Sequence, residues 1–209
     1  MIFTRFLDFP WGLVFLLFIG LLAYFEKIPG LLSSFGVRRN IFLFFVLLLL
    51  ATTFLPLPTF FLGEGIYVNL GGLISLVFAV YLLSKLKTIE RVRSLIACIF
   101  IFALTFASTS GVLWRIEEVF PYLYYLLPIF LAFIAIIIVG DAIGSIASLI
   151  LGVWLSDALS IILFRSLQSF EVAGIRTLNL WLIATFFLFI IIFFKEFAQN
   201  RKTSKGTSA

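Results

Sequence analysis

The stretch IIIVGDAIGSIASLILGVWLSDALSII, which occupies residues 136–162, decides the fold. It is long and apolar enough to cross the hydrocarbon core of a bilayer, which takes roughly 20 apolar residues. It nevertheless contains two aspartates, Asp141 and Asp157, and no basic residue. A charged side chain at mid-membrane is unfavourable by roughly 2.5–3.5 kcal/mol on insertion scales, so each acid needs its own explanation.

A tight turn is predicted around Asp141. Gly140 and Gly144 supply the backbone freedom that such a turn needs. Without the turn, the two apolar runs would form one helix of about 67 Å, twice the thickness of the bilayer core. We therefore predict two helices, 119–140 and 142–164. Asp141 then lies at the start of the second helix, where a carboxylate can cap free backbone N–H groups.

The composition of the whole chain indicates that lipid is its main solvent. Of the 209 residues, 63% are hydrophobic and 12% are charged, and the mean hydropathy is +1.24. A soluble domain is closer to half apolar and about one quarter charged. Phenylalanine alone contributes 28 residues, which suits an exterior that faces acyl chains. The predicted fold class is all-α, a polytopic transmembrane helix bundle with about seven spans and no soluble domain.

Charge, proline and glycine divide the apolar sequence into spans. Pro56 and Pro58 lie late in the second apolar run and should end or bend that helix early. The chain divides into an integral membrane helical domain, 1–198, and a polar basic tail, 199–209, which is predicted to be disordered. The predicted spans are 10–25, 41–62, 67–83, 95–114, 119–140, 142–164 and 178–194.

Basic residues predict the orientation in the membrane. Seven spans place eleven basic residues on one side and four on the other, and the side with more Lys and Arg is normally cytoplasmic. The N-terminus is therefore predicted to lie outside, and the C-terminus with its tail in the cytoplasm. The eleven are Lys27, Arg38, Arg39, Lys85, Lys87, Arg91, Arg93, Lys195, Arg201, Lys202 and Lys205, and the four are Arg5, Arg115, Arg165 and Arg176.

Composition also excludes several function classes. The chain has no histidine and one cysteine, Cys98, within an apolar run. Zinc, haem and iron–sulfur centres need such ligands, and Ser-His-Asp or Cys-His hydrolases need a histidine. We expect no cofactor, no metal site and no catalytic residue. The net charge of +5 comes from short basic loops and a basic C-terminus, not from one large basic patch, so no nucleic-acid partner is expected.

A polar stripe runs along the sixth predicted span. Its members follow steps of 4, 3, 4, 4 and 4 residues, which places them on one helix face. One interpretation is close helix packing, because small residues let backbones approach and hydroxyls bond across the interface. The other is a polar pathway or a ligand-binding face. The members are Asp141, Ser145, Ser148, Gly152, Ser156 and Ser160.

Asp157 lies beside this stripe and is the main candidate for a functional site. An acid within an apolar span usually faces a cavity or a partner. The alternatives are a structural acid paired with Arg165 or Arg176, or an acid that burial keeps protonated. Nearby polar residues could line one outward-facing cavity, or could be ordinary helix starts, which is favoured for Asn179. The candidate binding residues are Asp157, Asn69, Ser156, Ser160, Thr105, Ser108 and Arg176.

Three short stretches carry a resemblance to a known family. VNLGGLISLVFAVYLL, residues 68–83, is similar to an Asn-x-Gly-Gly signature that opens a membrane span. LSDALSI, residues 155–161, is similar to a small-Asp-x-Leu-Asn-Leu stretch, with Ser160 in place of Asn. The third stretch, residues 172–187, keeps an Ala-Gly pair but has Arg176 and Thr177 where the family has Phe and Asp.

These motifs, spread over roughly residues 65–190, resemble the prokaryotic domain-of-unknown-function family sixteen-fourteen. The resemblance implies an uncharacterised integral protein of a prokaryotic cell membrane. It also implies that Asp157 lacks the second acid that accompanies it in the family. The resemblance thus adds to the expected architecture and does not identify a substrate.

Two function classes follow from the sequence. The first is a small transporter or membrane binding unit with a polar intramembrane site around Asp157. The second is a non-catalytic membrane subunit or scaffold whose polar helix face serves assembly, either as a homo-oligomer or with a membrane partner subunit. An intramembrane aspartyl protease is disfavoured, because it needs two carboxylates about 3 Å apart, whereas Asp141 and Asp157 would be about 24 Å apart on one helix. In each case the lipid bilayer is the expected partner.

Overall fold

The described part of the protein is built almost entirely of α-helices. Its structure, a computed structural model, describes residues 11–24, 38–54, 60–61, 66–109, 123–163, 170–172 and 175–206. The seven helices within these residues are α1 Trp11–Tyr24, α2 Arg39–Phe54, α3 Leu70–Lys85, α4 Thr88–Thr109, α5 Leu123–Val139, α6 Ala142–Leu163 and α7 Ile175–Gly206. The three short strands are β1 Phe60–Phe61, β2 Ile66–Val68 and β3 Phe170–Val172.

The predicted fold class is confirmed in its helical part. Each predicted span overlaps one of the seven described helices, and the strands add only short segments. By length and composition, two of the described helices can cross a membrane: α6 over Ala142–Ser160 and α7 over Thr177–Lys195. α1, α2, α3 and α5 contain apolar segments of 10–17 residues. A 16-residue helix such as α3 is about 24 Å long, which is shorter than the bilayer core.

The predicted helix boundaries hold where a turn residue sets them. α2 ends at Phe54, two residues before Pro56, as expected from the steric restriction that proline places on the residue before it. The rest of that predicted span is strand β1 or lies outside the described residues. Gly140 has a φ angle of +85°, which a residue with a Cβ rarely adopts, and it forms the predicted turn between α5 and α6.

α4 begins earlier than the apolar pattern predicts, at Thr88 rather than near residue 95. Glu90 explains the difference, because its carboxylate accepts a hydrogen bond from the Lys87 backbone N–H at 3.1 Å. This is the backbone half of a capping box, which stabilises a helix start that carries polar residues. Arg91, in the same turn, donates to the carbonyls of Leu83 and Leu86 and so ties the end of α3 to the start of α4.

The segment 199–209, for which the sequence predicts a disordered tail, is helical as far as Gly206. α7 continues as one helix of 32 residues from Ile175 to Gly206, and residues 207–209 lie outside the described part. The polar segment is helical because α7 propagates into it from the apolar part of the helix. The segment KEFAQNRK, residues 195–202, is rich in residues that favour helix, and extending an existing helix avoids the nucleation step that an isolated segment would need.

A small sheet lies at one end of the helices. β1 pairs antiparallel with β2, with Phe60 opposite Val68, and β2 pairs parallel with β3, with Ile66 opposite Phe170. β2 directly precedes α3, and β3 directly precedes α7. The sheet therefore lies where α3 and α7 begin, and we call this end of the molecule the sheet end.

Successive helices run in alternating directions. A Cβ atom at Gly71, at the start of α3, would lie 3.3 Å from Leu178 of α7 and 3.3 Å from Thr52 at the end of α2. At the opposite end, a Cβ atom at Gly144 would lie 3.3 Å from Leu86, so the α3–α4 and α5–α6 turns are adjacent. We call this the basic end, because its exposed basic residues are Arg38, Arg39, Lys85, Lys87, Arg91, Arg93 and Lys195.

α6 is the central helix of the described structure. It contacts α3, α4, α5 and α7, and its buried residues include Ala147, Leu149 and Ile150, which have no measurable exposure. α1, α2, α3, α6 and α7 contact one another in cyclic order, so they form a ring of five helices. α4 and α5 pack on the outside of this ring, α4 against α6, and α5 against both α6 and α7. The two faces of α6 thus have different neighbours.

Candidate functional site

The most extensive helix contact in the described structure joins α4 and α6. Gly152 faces Ile101 so closely that a Cβ atom at Gly152 would lie 2.6 Å from Ile101 Cγ2 and 2.9 Å from the Cys98 carbonyl oxygen. Nearer the basic end, the Ser94 hydroxyl donates to the Gly144 carbonyl at 2.8 Å. Gly152, a member of the polar stripe, therefore lies at a close helix contact, as the first interpretation predicts. The hydroxyls of Ser145, Ser148 and Ser160 donate to carbonyls three or four residues earlier in the chain.

The same contact gives the register of the two helices. Residue numbers increase together along α4 and α6, so the helices run parallel. Starting from the contact between Ile101 and Gly152, one further helical turn places Thr105 level with Ser156. Both residues are buried, with 2% and 0% of their surface exposed. We define the hydroxyl cluster as Thr105, Ser108, Ser156 and Ser160, on the sheet-end halves of α4 and α6.

Most hydroxyls of this cluster use their proton within their own helix. A hydroxyl has one proton and two lone pairs, so an oxygen that already donates can offer a ligand only a lone pair. Ser156 differs, because its buried hydroxyl makes no hydrogen bond in the described structure. The three donors are Thr105 to the Ile101 carbonyl at 2.7 Å, Ser108 to the Thr105 carbonyl at 2.6 Å, and Ser160 to the Ser156 carbonyl at 2.8 Å.

Asp157 lies on α6 next to Ser156 and is half-buried. It is one position past the face that contacts α4, and it shares a helix face with the buried Val153 four residues earlier. Asp141 precedes the first residue of the same continuous helix. The two acids are 16 positions apart in the sequence, which corresponds to about 24 Å along a helix. The two carboxylates therefore cannot share a proton as those of an aspartyl protease do.

Asn69, a predicted binding residue, caps α3. Its side-chain oxygen accepts a hydrogen bond from the Gly71 backbone N–H at 2.8 Å. Gly71 is close to both α2 and α7, and this leaves little room for a side chain. The Asn-x-Gly-Gly stretch is thus explained locally by a cap followed by a close helix crossing. Arg176 is the second residue of α7, and its side chain lies outside the described residues, as does Arg165.

Asp141 has the capping role that the sequence predicts. Its carboxylate accepts a hydrogen bond from the Gly144 backbone N–H at 2.8 Å. Its second oxygen is buried without a hydrogen-bond partner in the described structure. Burial raises the pKa of Asp141, and the nearby negative charge of Glu90 raises it further, although the hydrogen bonds from the Gly144 and Ile143 backbones oppose this shift. Asp141 therefore belongs to the basic end, at the opposite end of α6 from the hydroxyl cluster.

Sequence reasoning missed the structural role of Asn179. This residue is buried, and its side-chain oxygen accepts a hydrogen bond from the Gly12 backbone N–H. It therefore joins the start of α1 to α7, and it is not simply a helix start near the headgroups. The two partners are 167 residues apart in the chain, so no local pattern could have indicated the bond.

Comparison with known protein families, with curated proteins and with solved structures finds no match to this chain. The resemblance to family sixteen-fourteen therefore stays a prediction that rests on the motifs around Asn69 and Asp157. Any functional conclusion has to come from the geometry and chemistry of the chain itself.

Proposed function

We propose that this protein is a multi-pass membrane protein whose seven helices cross the bilayer. The support is the apolar exterior. Large apolar side chains are exposed on outward faces along the bundle, including Ile137 at 76%, Val77 at 69% and Phe44 at 66%. Soluble monomers rarely expose large continuous apolar patches, whereas acyl chains solvate such side chains at no cost. α6 and α7 have the length and composition of membrane spans.

The orientation follows from the position of the basic residues. Exposed Lys and Arg side chains gather at the basic end, beside the α3–α4 turn and the start of α2. Under the positive-inside rule this end faces the cytoplasm, so the sheet end and the N-terminus face outside. Reporter fusions after Lys87 and Lys202 should both read cytoplasmic, and a fusion after Glu118 should read external. Opposite readings at Lys87 and Lys202 would contradict seven spans.

Within this architecture, Asp157 and the hydroxyl cluster form a binding or permeation site for a small cation. The observation that supports this site is the set of hydrogen bonds that the hydroxyls of the cluster already make. Thr105, Ser108 and Ser160 direct their protons into their own helices, so the groups they can present to a ligand are oxygen lone pairs. A half-buried carboxylate adds negative charge beside them. Lone pairs and a carboxylate match a cation and disfavour an anion.

The alternative function, a membrane subunit or scaffold, is supported less well. The polar stripe is the surface that this function would use for assembly, but its member Gly152 already packs against α4 within the same chain. A homo-oligomer or a partner subunit would need another surface, such as the exposed apolar side chains on the outside of α4, for example Ile99 and Phe100. Those side chains are equally suited to contact with lipid.

The test is cation binding and flux by the full chain in liposomes. Asp157→Asn keeps the side-chain shape and removes the charge. We expect the wild type to be stabilised against heat by NaCl or KCl relative to choline chloride, and to conduct one of these cations or protons. Asp157→Asn should lose both properties while its stability holds or rises. Asp141→Asn, at the other end of α6, is the matched control and should retain both.

Two results would count against the site. If Asp157→Asn lowers stability without any change in cation binding or flux, Asp157 is a member of a structural ion pair, because removing one partner leaves the other charge unmatched. If the wild type neither binds nor conducts a cation but co-purifies with a stoichiometric membrane partner, the scaffold function replaces the transporter.

A further inference from the structure

A cavity lies inside the ring formed by α1, α2, α3, α6 and α7. Its volume is about 30 Å³, and its walls are almost entirely apolar. The residues that line it come from the basic-end halves of α2, α3 and α6, such as Phe42, Leu82 and Ile143, and from the middle of α7. The cavity is therefore separate from the hydroxyl cluster, which lies toward the sheet end between α4 and α6.

Two of the residues that line this cavity have a polar side-chain atom. Trp181 and Thr185 both line the cavity, and their exposed fractions are 3% and 8%. The Trp181 indole Nε1 and the Thr185 Oγ1 are buried, and neither makes a hydrogen bond in the described structure. The residues are four positions apart on α7, so their side chains lie on the same helix face. A buried indole N–H usually has a hydrogen-bond partner.

Thr185 departs from a regular pattern in this protein. The other buried helical threonines, Thr52 and Thr105, donate their hydroxyl protons to a carbonyl three or four residues earlier in the same helix. Ser75 and Ser148 do the same. Thr185 makes no such bond although it is in mid-helix. Its hydroxyl proton is thus not used within its own helix, and Thr185 lines the cavity one helical turn after Trp181.

We propose that this cavity binds one neutral oxygen atom that accepts hydrogen bonds from both Trp181 Nε1 and Thr185 Oγ1. The volume of about 30 Å³ exceeds the roughly 10–15 Å³ that a cavity needs to hold one water molecule. The lining contains no charged residue, so an ion would be poorly solvated there. The oxygen can come from a water molecule, or from the carbonyl of a lipid-soluble molecule whose remaining atoms extend between the helices of the ring.

A bound oxygen makes a measurable prediction about coupling. If two polar groups share one bound atom, the effects of removing them on the free energy of unfolding are not additive. If each group is without a hydrogen bond and independent of the other, the two effects add. Trp181→Phe removes the N–H and keeps an aromatic ring, and Thr185→Val removes the hydroxyl and keeps the shape. With the oxygen present, each substitution should lower the folding equilibrium constant about fivefold, the typical effect of one lost hydrogen bond. The double variant should then lose clearly less than the product of the two factors.

The experiment is a double-mutant cycle on the full chain, by reversible unfolding in mixed detergent micelles. Thr52→Val combined with Trp181→Phe is the control, because Thr52 bonds within its own helix and is outside the cavity lining. That pair should be additive. If Trp181→Phe and Thr185→Val each leave stability unchanged or raise it, and are also additive, the cavity holds no oxygen and the proposal is overturned.

Delipidation separates the two sources of the oxygen. If water supplies it, the coupling between Trp181 and Thr185 persists after exhaustive delipidation. If a lipid-soluble carbonyl compound supplies it, the coupling disappears on delipidation and returns when 2-nonanone is added, whereas nonane, which lacks the acceptor, has no effect. Neither outcome depends on Asp157, so this test and the cation test succeed or fail independently.

Discussion

The two faces of α6 pack against their neighbouring helices in different ways. Toward α4, small residues bring the helix backbones together, and Gly152 leaves no room even for a methyl group beside Ile101. Toward the five-helix ring, α6 presents Ile143 and Ile146 to a group of aromatic side chains that includes Phe45. The α4 face is closely packed around Gly152, whereas the ring face leaves a cavity lined by Trp181 and Thr185, whose side-chain polar atoms make no hydrogen bond in the described structure.

The difference follows from the shapes of the residues. Glycine and serine on a helix allow close approach and continuous dispersion contact between the helices. Rigid rings stack well in pairs, as Phe45 does on Phe78 with centroids 3.8 Å apart, but five helices that meet through rings cannot fill every gap. The contact of α6 with α4 should therefore be the less tolerant of change, and the ring the more tolerant.

The largest effect is expected from adding one methyl group to each region. Gly152→Ala should destabilise the fold by about 1–3 kcal/mol, as overpacking does, because the new Cβ would lie 2.6 Å from Ile101 Cγ2 and 2.9 Å from a backbone oxygen. Gly20→Ala, in the ring, would place its Cβ 3.0 Å from Val46 Cγ1. That methyl can shift, and alanine favours helix by about 1 kcal/mol over glycine, so little or no loss is expected.

Unfolding of both variants in mixed micelles measures this comparison. Equal losses at Gly152 and Gly20 would mean that the ring is as tightly packed as the α4 contact. If Gly152→Ala leaves the free energy of unfolding unchanged, α4 and α6 can move apart without destabilising the fold. That result would contradict the packing interpretation of the polar stripe.

The sequence predicts the existence of every described helix, because long apolar runs broken by charge, proline and glycine carry that information locally. It also predicts the α5–α6 turn, where Gly140 indeed adopts a positive φ angle. It predicts the early end of α2 as well, which lies just before Pro56. It does not predict the start of α4, where a capping glutamate outweighs the loss of apolar pattern. Nor does it predict the helical tail, where propagation along α7 outweighs the polar composition.

The candidate site could be predicted only in part. The steps between Gly152, Ser156 and Ser160 place these residues on one helix face from sequence alone. Their relation to Thr105 depends on the parallel register of α4 and α6, which no local pattern contains. The cavity beside Trp181 is less accessible still, because it arises from what five helices fail to fill. The periodic spacing of residues along the sequence does not predict tertiary contacts of this kind.

A smaller effect is expected from the hydrogen bond across the α4–α6 contact. Ser94→Ala removes the bond from its hydroxyl to the Gly144 carbonyl and should cost about 1 kcal/mol. Ser84→Ala is the control, since Ser84 is exposed and donates only to the Tyr81 carbonyl in its own helix; it should change stability by less than about 0.5 kcal/mol. Equal effects at the two serines would show that the bond between helices adds nothing to the packing of Gly152.

The smallest effect on stability is expected at Asp141, which directly precedes the first residue of α6. Because burial raises its pKa in the folded protein, the folded state binds the proton more tightly than the unfolded chain does. The stability that this contributes is fully present below the ordinary value of 3.8 and is lost as pH rises through the folded pKa. Asp141→Asn removes the charge and keeps a side chain that caps helices equally well. Relative to the wild type, the variant should therefore gain stability as pH rises from about 4 to 7, by a few degrees at most in melting temperature. A relative loss over the same range would mean that the Gly144 N–H bond and the helix N-terminus stabilise the carboxylate more than burial destabilises it.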